Sequence, residues 1–346
     1  MSLLKMQKVA PILLCCDVDP DREAFSTARG SRKGGLTWDG LERGLPRLLD
    51  ETAKLEGERG IAVHFNWFFR SDTQMERIYG DFAWPYRAWP DILARIAKRD
   101  DEIAWHPHLW RSDDDGISWF QETDDLEYMD ACLRKGFEAI PEDYRPSVVR
   151  TGWDFHNAFT MRCLSDLGIA ADLSALPGVA SEGILDPKTR RRIAVRNWTG
   201  SPDRPYFPSK MDPRKEAKSR TERLDILEIP VSTYTLPTAM KLVKRARDRM
   251  KGRQSGSKFS EPYITKMPAL FKAALDYHFR RHDAARIPLV VEFHADELLQ
   301  DSGAYSMPNV IRNLALAVDS CSRIGLTARF ERASVVADGL RRAMED

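Results

Sequence analysis

The 346-residue chain reads as an α/β fold of parallel strands arranged as a barrel. Three observations predict this. Short apolar runs alternate with segments of helical spacing from one end to the other, which is the pattern of parallel strands joined by helical crossovers. About seven such units follow one another, and none carries a GxGxxG or GxxxxGK[ST] turn, so an open nucleotide-binding sheet has no support. No internal repeat, heptad pattern or apolar run of about 18 residues points to another architecture. The length admits two domains, but a barrel commonly fills about 250 residues or more as one unit. The expected organisation is therefore one domain over 1–346, with excursions at about 177–222 and 238–285.

The elements follow in order. Val9–Cys16 is continuously apolar, as suits a strand buried on both faces, and ends in Asp17-Val-Asp-Pro-Asp. A Gly-, Ser- and Arg-rich loop leads to a helix over Trp38–Glu56, carried by Leu41, Leu45, Leu48, Leu49 and Leu55. Ile61–Phe69 is the second strand and Trp89–Lys98 the next helix. Glu102–Trp110 is the third strand, running into a loop. Asp124–Ile140 is a helix, Ser147–Arg150 a strand, and Asn157–Leu167 a helix stopped by Gly168. Ile169–Ser174 and Leu224–Ser232 are strands on either side of an aperiodic stretch. A basic helix is expected over Ala239–Met250, another helix over Tyr263–Arg281, and a strand over Ile287–His294. A helix from Asn309 to Arg323, a strand at Leu326–Phe330 and a last helix from Ser334 complete the chain.

Basic and acidic side chains nearly cancel, 53 against 52. That balance excludes a nucleic-acid binder working by bulk charge. The hydrophobic fraction of 42% supports a large core rather than disorder. The start of the chain has no secretory apolar region, and the five cysteines show no CxxC or regular spacing. Reduced, buried thiols in a cytoplasmic protein are the expectation.

Chemistry must come from local constellations. A parallel barrel gathers the C-terminal ends of its strands at one mouth. Four strand ends here carry polar residues: Asp17 and Asp19, His106 and His108, Arg150, and His294. The first two pairs have i, i+2 spacing, which puts both members on one face of a strand. Two imidazoles on one face, with one or two carboxylates, can share a metal of mixed nitrogen and oxygen ligation. A further carboxylate can then serve as general base and a separate histidine as general acid. Each piece alone has a plainer reading: the acids suit a capped turn, the HPH sits among core-like residues, and Arg150 suits a simple ion pair. Their joint occurrence at four strand ends favours a metal-assisted hydrolase. His64, His156, His278 and His282 read as structural, packing or surface residues.

At these residues the sequence resembles the polysaccharide deacetylases, the NodB-homology group of carbohydrate esterase family 4. Ile12-Leu-Leu-Cys-Cys-Asp-Val-Asp19 resembles the first motif, Glu102-Ile-Ala-Trp-His106 the front of the second, and Val148-Val-Arg-Thr-Gly-Trp153 the third. Leu227–Ser232 and Leu289–His294 resemble the fourth and fifth. The resemblance spans about residues 8–335. It implies an incomplete (β/α) barrel of about seven parallel strands and divalent-metal hydrolysis of an N-acyl, typically N-acetyl, group. Asp17 would be the base, Arg150 its orienting partner and His294 the acid. Asp19 and His106 would hold the metal, zinc by preference. The family has a second histidine four residues after the first, where this chain has Trp110. Either His108 supplies that ligand or the metal site is weakened or absent. Among known groups, the resemblance runs toward deacetylases of lipopolysaccharide or capsule biosynthesis, and Trp110, Gly152, Trp153 and Trp198 are the expected substrate contacts.

The expected partner is a small molecule or glycan. Trp84, Trp89, Trp105, Trp110, Trp153 and Trp198 are candidates for stacking on sugar rings, with about half expected in the core. Lys241–Lys258 holds eight Lys or Arg against one Asp. It suits a solvated helix face or contact with an anionic membrane. Rival readings are a small-amide hydrolase of allantoinase type, a carbohydrate-binding protein that has lost catalysis, and an amidohydrolase, whose HxH belongs on the first strand rather than the third.

Overall fold

A computed structural model describes residues 8–21, 36–113, 119–185, 191–236, 238, 241 and 258–345. Its centre is one parallel sheet. Strands β1 (Val9–Val18), β2 (Phe65–Arg70), β3 (Glu102–His106), β6 (Val148–Val149), β7 (Ala171–Asp172), β10 (Leu227–Glu228) and β13 (Leu289–His294) pair in the order β10-β7-β6-β3-β2-β1-β13. Strand β14 (Thr327–Phe330) pairs with the first half of β1, opposite Val9–Ile12. Every pairing in this sheet is parallel. The end strands β10 and β13 do not pair with each other. Between the chain after β10 and β13, the Ser232 backbone N–H donates to the Val290 carbonyl at 3.1 Å and the Val290 N–H donates to Ser232 Oγ at 2.9 Å. The architecture is the expected incomplete (β/α) barrel.

Most helices lie where the spacing placed them: α1 (Leu45–Arg59), α4 (Pro90–Lys98), α5 (Leu126–Ala139), α6 (Ala158–Asp166), α7 (Pro268–Arg281), α8 (Met307–Arg323) and α9 (Ala333–Glu345). Local chemistry sets their ends. Asn157 caps α6 by accepting from the Phe159 and Thr160 N–H groups, while Thr160 Oγ1 accepts from the Asn157 N–H. Asp72 does the same for the short α2 (Thr73–Tyr79), accepting from Gln74 and Met75. Burial of the aromatic rings of Phe65, Trp67, Phe68, Phe69, Trp105 and Phe293 fixes the centre of the sheet. Each such ring contributes roughly 1.5–3 kcal/mol.

The structure departs from the expected elements in four places. Strand β3 stops at His106 because Pro107 has no N–H to continue the ladder. Trp110 instead opens a hairpin of β4 (Trp110–Ser112) and β5 (Trp119–Gln121). The expected single helix over Trp38–Glu56 begins with a π-helical turn at Gly40–Gly44, and two short helices, α2 and α3 (Trp84–Ala88), follow β2 without a clear periodic signal. The aperiodic stretch after Pro177 contains a second antiparallel hairpin, β8 (Ala180–Leu185) with β9 (Arg192–Asn197). Tyr263–Met267 lies outside α7, preceded by a two-stranded pair of β11 (Tyr234–Thr235) and β12 (Phe259–Ser260). Of the basic helix expected over Ala239–Met250, residues 239–240 and 242–250 lie outside the described residues. So do 242–257 of the Lys241–Lys258 segment. The five cysteines are buried and free. Among the described residues no helix is long and apolar enough to cross a membrane.

Candidate metal and hydrolytic site

Register assembles the site. Asp17 on β1 pairs directly with His294 on β13, and Arg70 on β2 with His106 on β3. Asp19 follows β1 by one residue, and Arg150 follows β6 by one residue. Five strands thus bring residues separated by up to most of the chain to one mouth. They line a cavity of about 360 Å³ that also includes Trp153, Asp154, Ser181, Ala194, Arg196, Glu261, Tyr263 and Glu292.

Asp19, His106 and His108 form a group able to hold a metal ion. The Nε2 atoms of His106 and His108 lie 3.2 Å apart. His106 Nε2 is 3.5 Å from Asp19 Oδ2, and His108 Nε2 is 3.5 Å from Asp19 Oδ1. These separations match the edges, about 3.3 Å, of a tetrahedral site with metal–ligand bonds of about 2.0–2.1 Å. His106 Nδ1–H donates to the Arg150 carbonyl at 2.7 Å, which fixes the ring and aims Nε2 at the site. The His108 ring lies stacked on Trp110, 5.7 Å between centroids and 3° between planes. Two imidazoles and a carboxylate are a sound donor set for zinc, so the residues fit the ion.

Electrostatics agree with that use for Asp19 and His108, while at His106 burial is outweighed by Asp17 and Asp19, which raise it. Burial opposes the Asp19 charge, but the adjacent His106 and His108 outweigh it and hold the carboxyl well below its ordinary value. Burial, with Arg70 beside it, lowers His108 to about 4, so it is neutral and able to ligate near pH 7. Arg70 itself is buried. It donates to Asp19 at 2.9 Å, to Asp72 at 2.5 Å and to Gln74 at 3.0 Å, and so holds Asp19 in place from behind.

Beside this group stands Asp17, buried, with Oδ1 3.3 Å from Arg150 Nε and Oδ2 3.8 Å from His294 Nε2. Arg150 Nη2 also donates to Asp154 at 3.0 Å and to Glu292. Burial pushes Glu292 above the carboxylate range, while the surrounding acids outweigh burial and keep Arg150 cationic. His294 stacks on Tyr263, 5.9 Å between centroids and 15° between planes.

Three residues of the cavity wall have unusual backbone. Trp153 and Asp154 have φ of 58° and 54°, and Ala194 has φ of 56°. Three of the four non-glycine residues with positive φ among the described residues thus line the cavity. Left-handed backbone at such residues costs of order 1–3 kcal/mol each and concentrates at functional sites.

The expected substrate contacts need correction. Trp198 is 1% exposed, and its indole N–H donates to the Asp154 carbonyl at 2.7 Å, so it anchors the turn and offers no face to a sugar. Trp110 is equally buried and supports His108. Gly152 lies under the same ring: a Cβ there would come within 2.2 Å of His108. Of the four, Trp153 lines the cavity. Trp105 is in the core, while Trp84 and Trp89 are half-buried in a cluster with Trp38 and Tyr79, none of which lines the cavity. His156 is buried and pairs with Asp172 at 3.2 Å, a packing role.

Arg70, Asp154, Arg196, Glu261, Tyr263 and Glu292 escaped the sequence reading. Arg70 and Glu292 carried a signal, since each is a charge inside an otherwise apolar strand. Arg196 and Glu261 stand among many surface-type charges and carried none.

No family model matches the chain, and no curated protein matches it in sequence. Solved structures do share its fold. A presumed glycoside hydrolase/deacetylase from Parabacteroides distasonis superposes with a TM-score of 0.53 at 15% identity, over 99% of this chain and 73% of that one. PuuE allantoinase superposes with a TM-score of 0.50 at 14% identity, over 96% and 91%. A presumed polysaccharide deacetylase from Mycobacterium smegmatis aligns over 99% and 94% at 14% identity with a TM-score of 0.49. The first two share the fold of this chain. At these identities the likeness is one of fold.

Proposed function

We propose that the protein is a metal-dependent amide hydrolase that removes an N-acyl group, N-acetyl by preference, from a sugar unit such as a surface-polysaccharide precursor. The observation that carries this is the convergence of two imidazole Nε2 atoms and Asp19 beside the Asp17–Arg150 pair, with His294 on the far side of Asp17. Charge supports it. Acidic side chains outnumber guanidiniums around the cavity, Asp17, Asp19, Asp154, Glu261 and Glu292 against Arg70, Arg150 and Arg196, a lining compatible with a bound cation.

Asp19, His106 and His108 would hold the ion, zinc as first choice. When bound, it supplies Lewis acidity toward the amide carbonyl and toward the attacking water. Asp17, held by Arg150, takes the proton from that water. His294, on the neighbouring strand, gives a proton to the departing nitrogen. Trp153 offers a ring face at the cavity wall.

A second reading is a hydrolase of a small non-sugar amide. It is favoured by the size of the cavity, near the lower end of ligand sites at about 300–1,000 Å³, and by the shared fold with an allantoinase. Zinc-supplemented enzyme assayed on N-acetylated sugars, nucleotide sugars and cyclic amides separates the two. Asp17→Asn is expected to lower the active reaction by about 10²–10⁴-fold with metal content unchanged. Hydrolysis of none of these amides, with zinc present, would refute the proposal.

A further inference from the structure

Each cavity guanidinium among the described residues is already committed. Arg70 is bonded to Asp19 and Asp72, Arg150 to Asp154 and Glu292 beside Asp17, and Arg196 to Asp154 and Glu261. Binding a phosphate or carboxylate calls for a guanidinium with a free fork of donors. Arg196 comes nearest to offering one. It projects from β9 with its side chain 22% exposed, and its Nη1 is held by Asp154. Nη2 donates to Glu261 Oε1 at 2.8 Å, while Nε is buried and has no hydrogen-bond partner among the described residues. Nε and Nη2 are the two donors of one bidentate edge. Glu261, 21% exposed, therefore blocks that edge with its own negative charge.

We propose that the Arg196–Glu261 pair is a selectivity device: it makes the cavity take uncharged polar amides and turn away those bearing a phosphate or carboxylate next to the scissile bond. Glu261 covers the Nε/Nη2 edge of Arg196, where Nε is buried, and presents to the cavity an acceptor carboxylate that suits hydroxyl and amide groups. The proposal deepens the hydrolase reading and rests on it for the identity of the substrate, but its charge logic can be measured without turnover.

The test is calorimetric titration of the zinc-loaded protein with inorganic phosphate at constant ionic strength. Glu261→Gln is expected to bind phosphate at least tenfold more tightly than wild type, because the negative charge over the Nε/Nη2 edge is removed. Glu261→Gln combined with Arg196→Met is expected to return to the wild-type value, which removes phosphate bound at the metal from the comparison. Glu261→Ala serves as a second variant, and a thermal melt of each confirms folding. Equal phosphate affinity in wild type and both Glu261 variants would overturn the proposal, as would a gain that survives loss of Arg196. In parallel, N-acetylglucosamine and its 1-phosphate, which carries the phosphate on the carbon next to the amide, are compared as substrates. A wild type that hydrolyses the phosphate ester preferentially overturns it too. A wild type inactive on both, with the phosphate gain intact, supports the charge device while counting against the hydrolase reading.

Discussion

At the residue scale, the histidine pair shows how this chain departs from the motif it resembles. The motif's second imidazole, four residues after the first, is replaced by Trp110, yet His108 brings its Nε2 to 3.2 Å from that of His106. The substitution is coherent: Trp110 stacks behind the His108 ring, and Gly152 leaves the space the ring occupies. Gly152→Ala should therefore displace His108. The expected outcome is a loss of about 10–100-fold in zinc affinity, as for disruption of groups that orient metal ligands, measured by competition with a chromophoric chelator. Unchanged affinity would show that His108 does not ligate. The polar strand ends were legible in the sequence because charge that closes an apolar run stands out. The partners that hold them were not. Arg196 and Glu261 reach the site from a hairpin and a loop whose residues look like any solvated surface, and only the fold brings them to Asp154.

At the scale of elements, local rules accounted for strands and long helices and failed where tertiary contacts decide. The β8–β9 hairpin carries positive φ at Gly183 and Ala194 and docks through Arg196 and Trp198, so its alternation is broken by the residues that make it functional. The short α2 follows from the Asp72 cap, a single residue that also binds Arg70. Helix α7 contains a testable buried histidine. His278 is 3% exposed and its Nε2–H donates to the Ile287 carbonyl at 3.2 Å. Burial, with His282 beside it, lowers its pKa from 6.5 to about 4. The unfolded chain thus holds more protons between those values, and stability falls as pH drops from about 6.5 to about 4, by up to about 3 kcal/mol. His278→Leu should flatten that limb, as read by denaturant unfolding at pH 5 and pH 7. An unchanged pH slope would mean that other groups carry the acid sensitivity.

At the scale of the whole molecule, near-neutral net charge conceals a local imbalance. Five acids and three arginines converge on one cavity, and the barrel that gathers them is open between β10 and β13. An ion bound only by the folded state adds stability by mass action, about 2.7 kcal/mol at a hundredfold excess over its dissociation constant. Zinc should therefore raise the melting temperature by a few degrees, and chelation should reverse it. A melting temperature indifferent to zinc would mean that the folded chain does not hold the ion.

The central claim is that Asp19, His106 and His108 hold a divalent cation that the hydrolytic groups act beside. Its most direct test is metal analysis by mass spectrometry of the purified protein and of Asp19→Ala, each before and after zinc loading and desalting. The account predicts one retained ion per chain in the wild type and loss of that ion in Asp19→Ala with the fold intact. A wild type that retains no metal after loading, or an Asp19→Ala variant that retains it as well as the wild type, would contradict it.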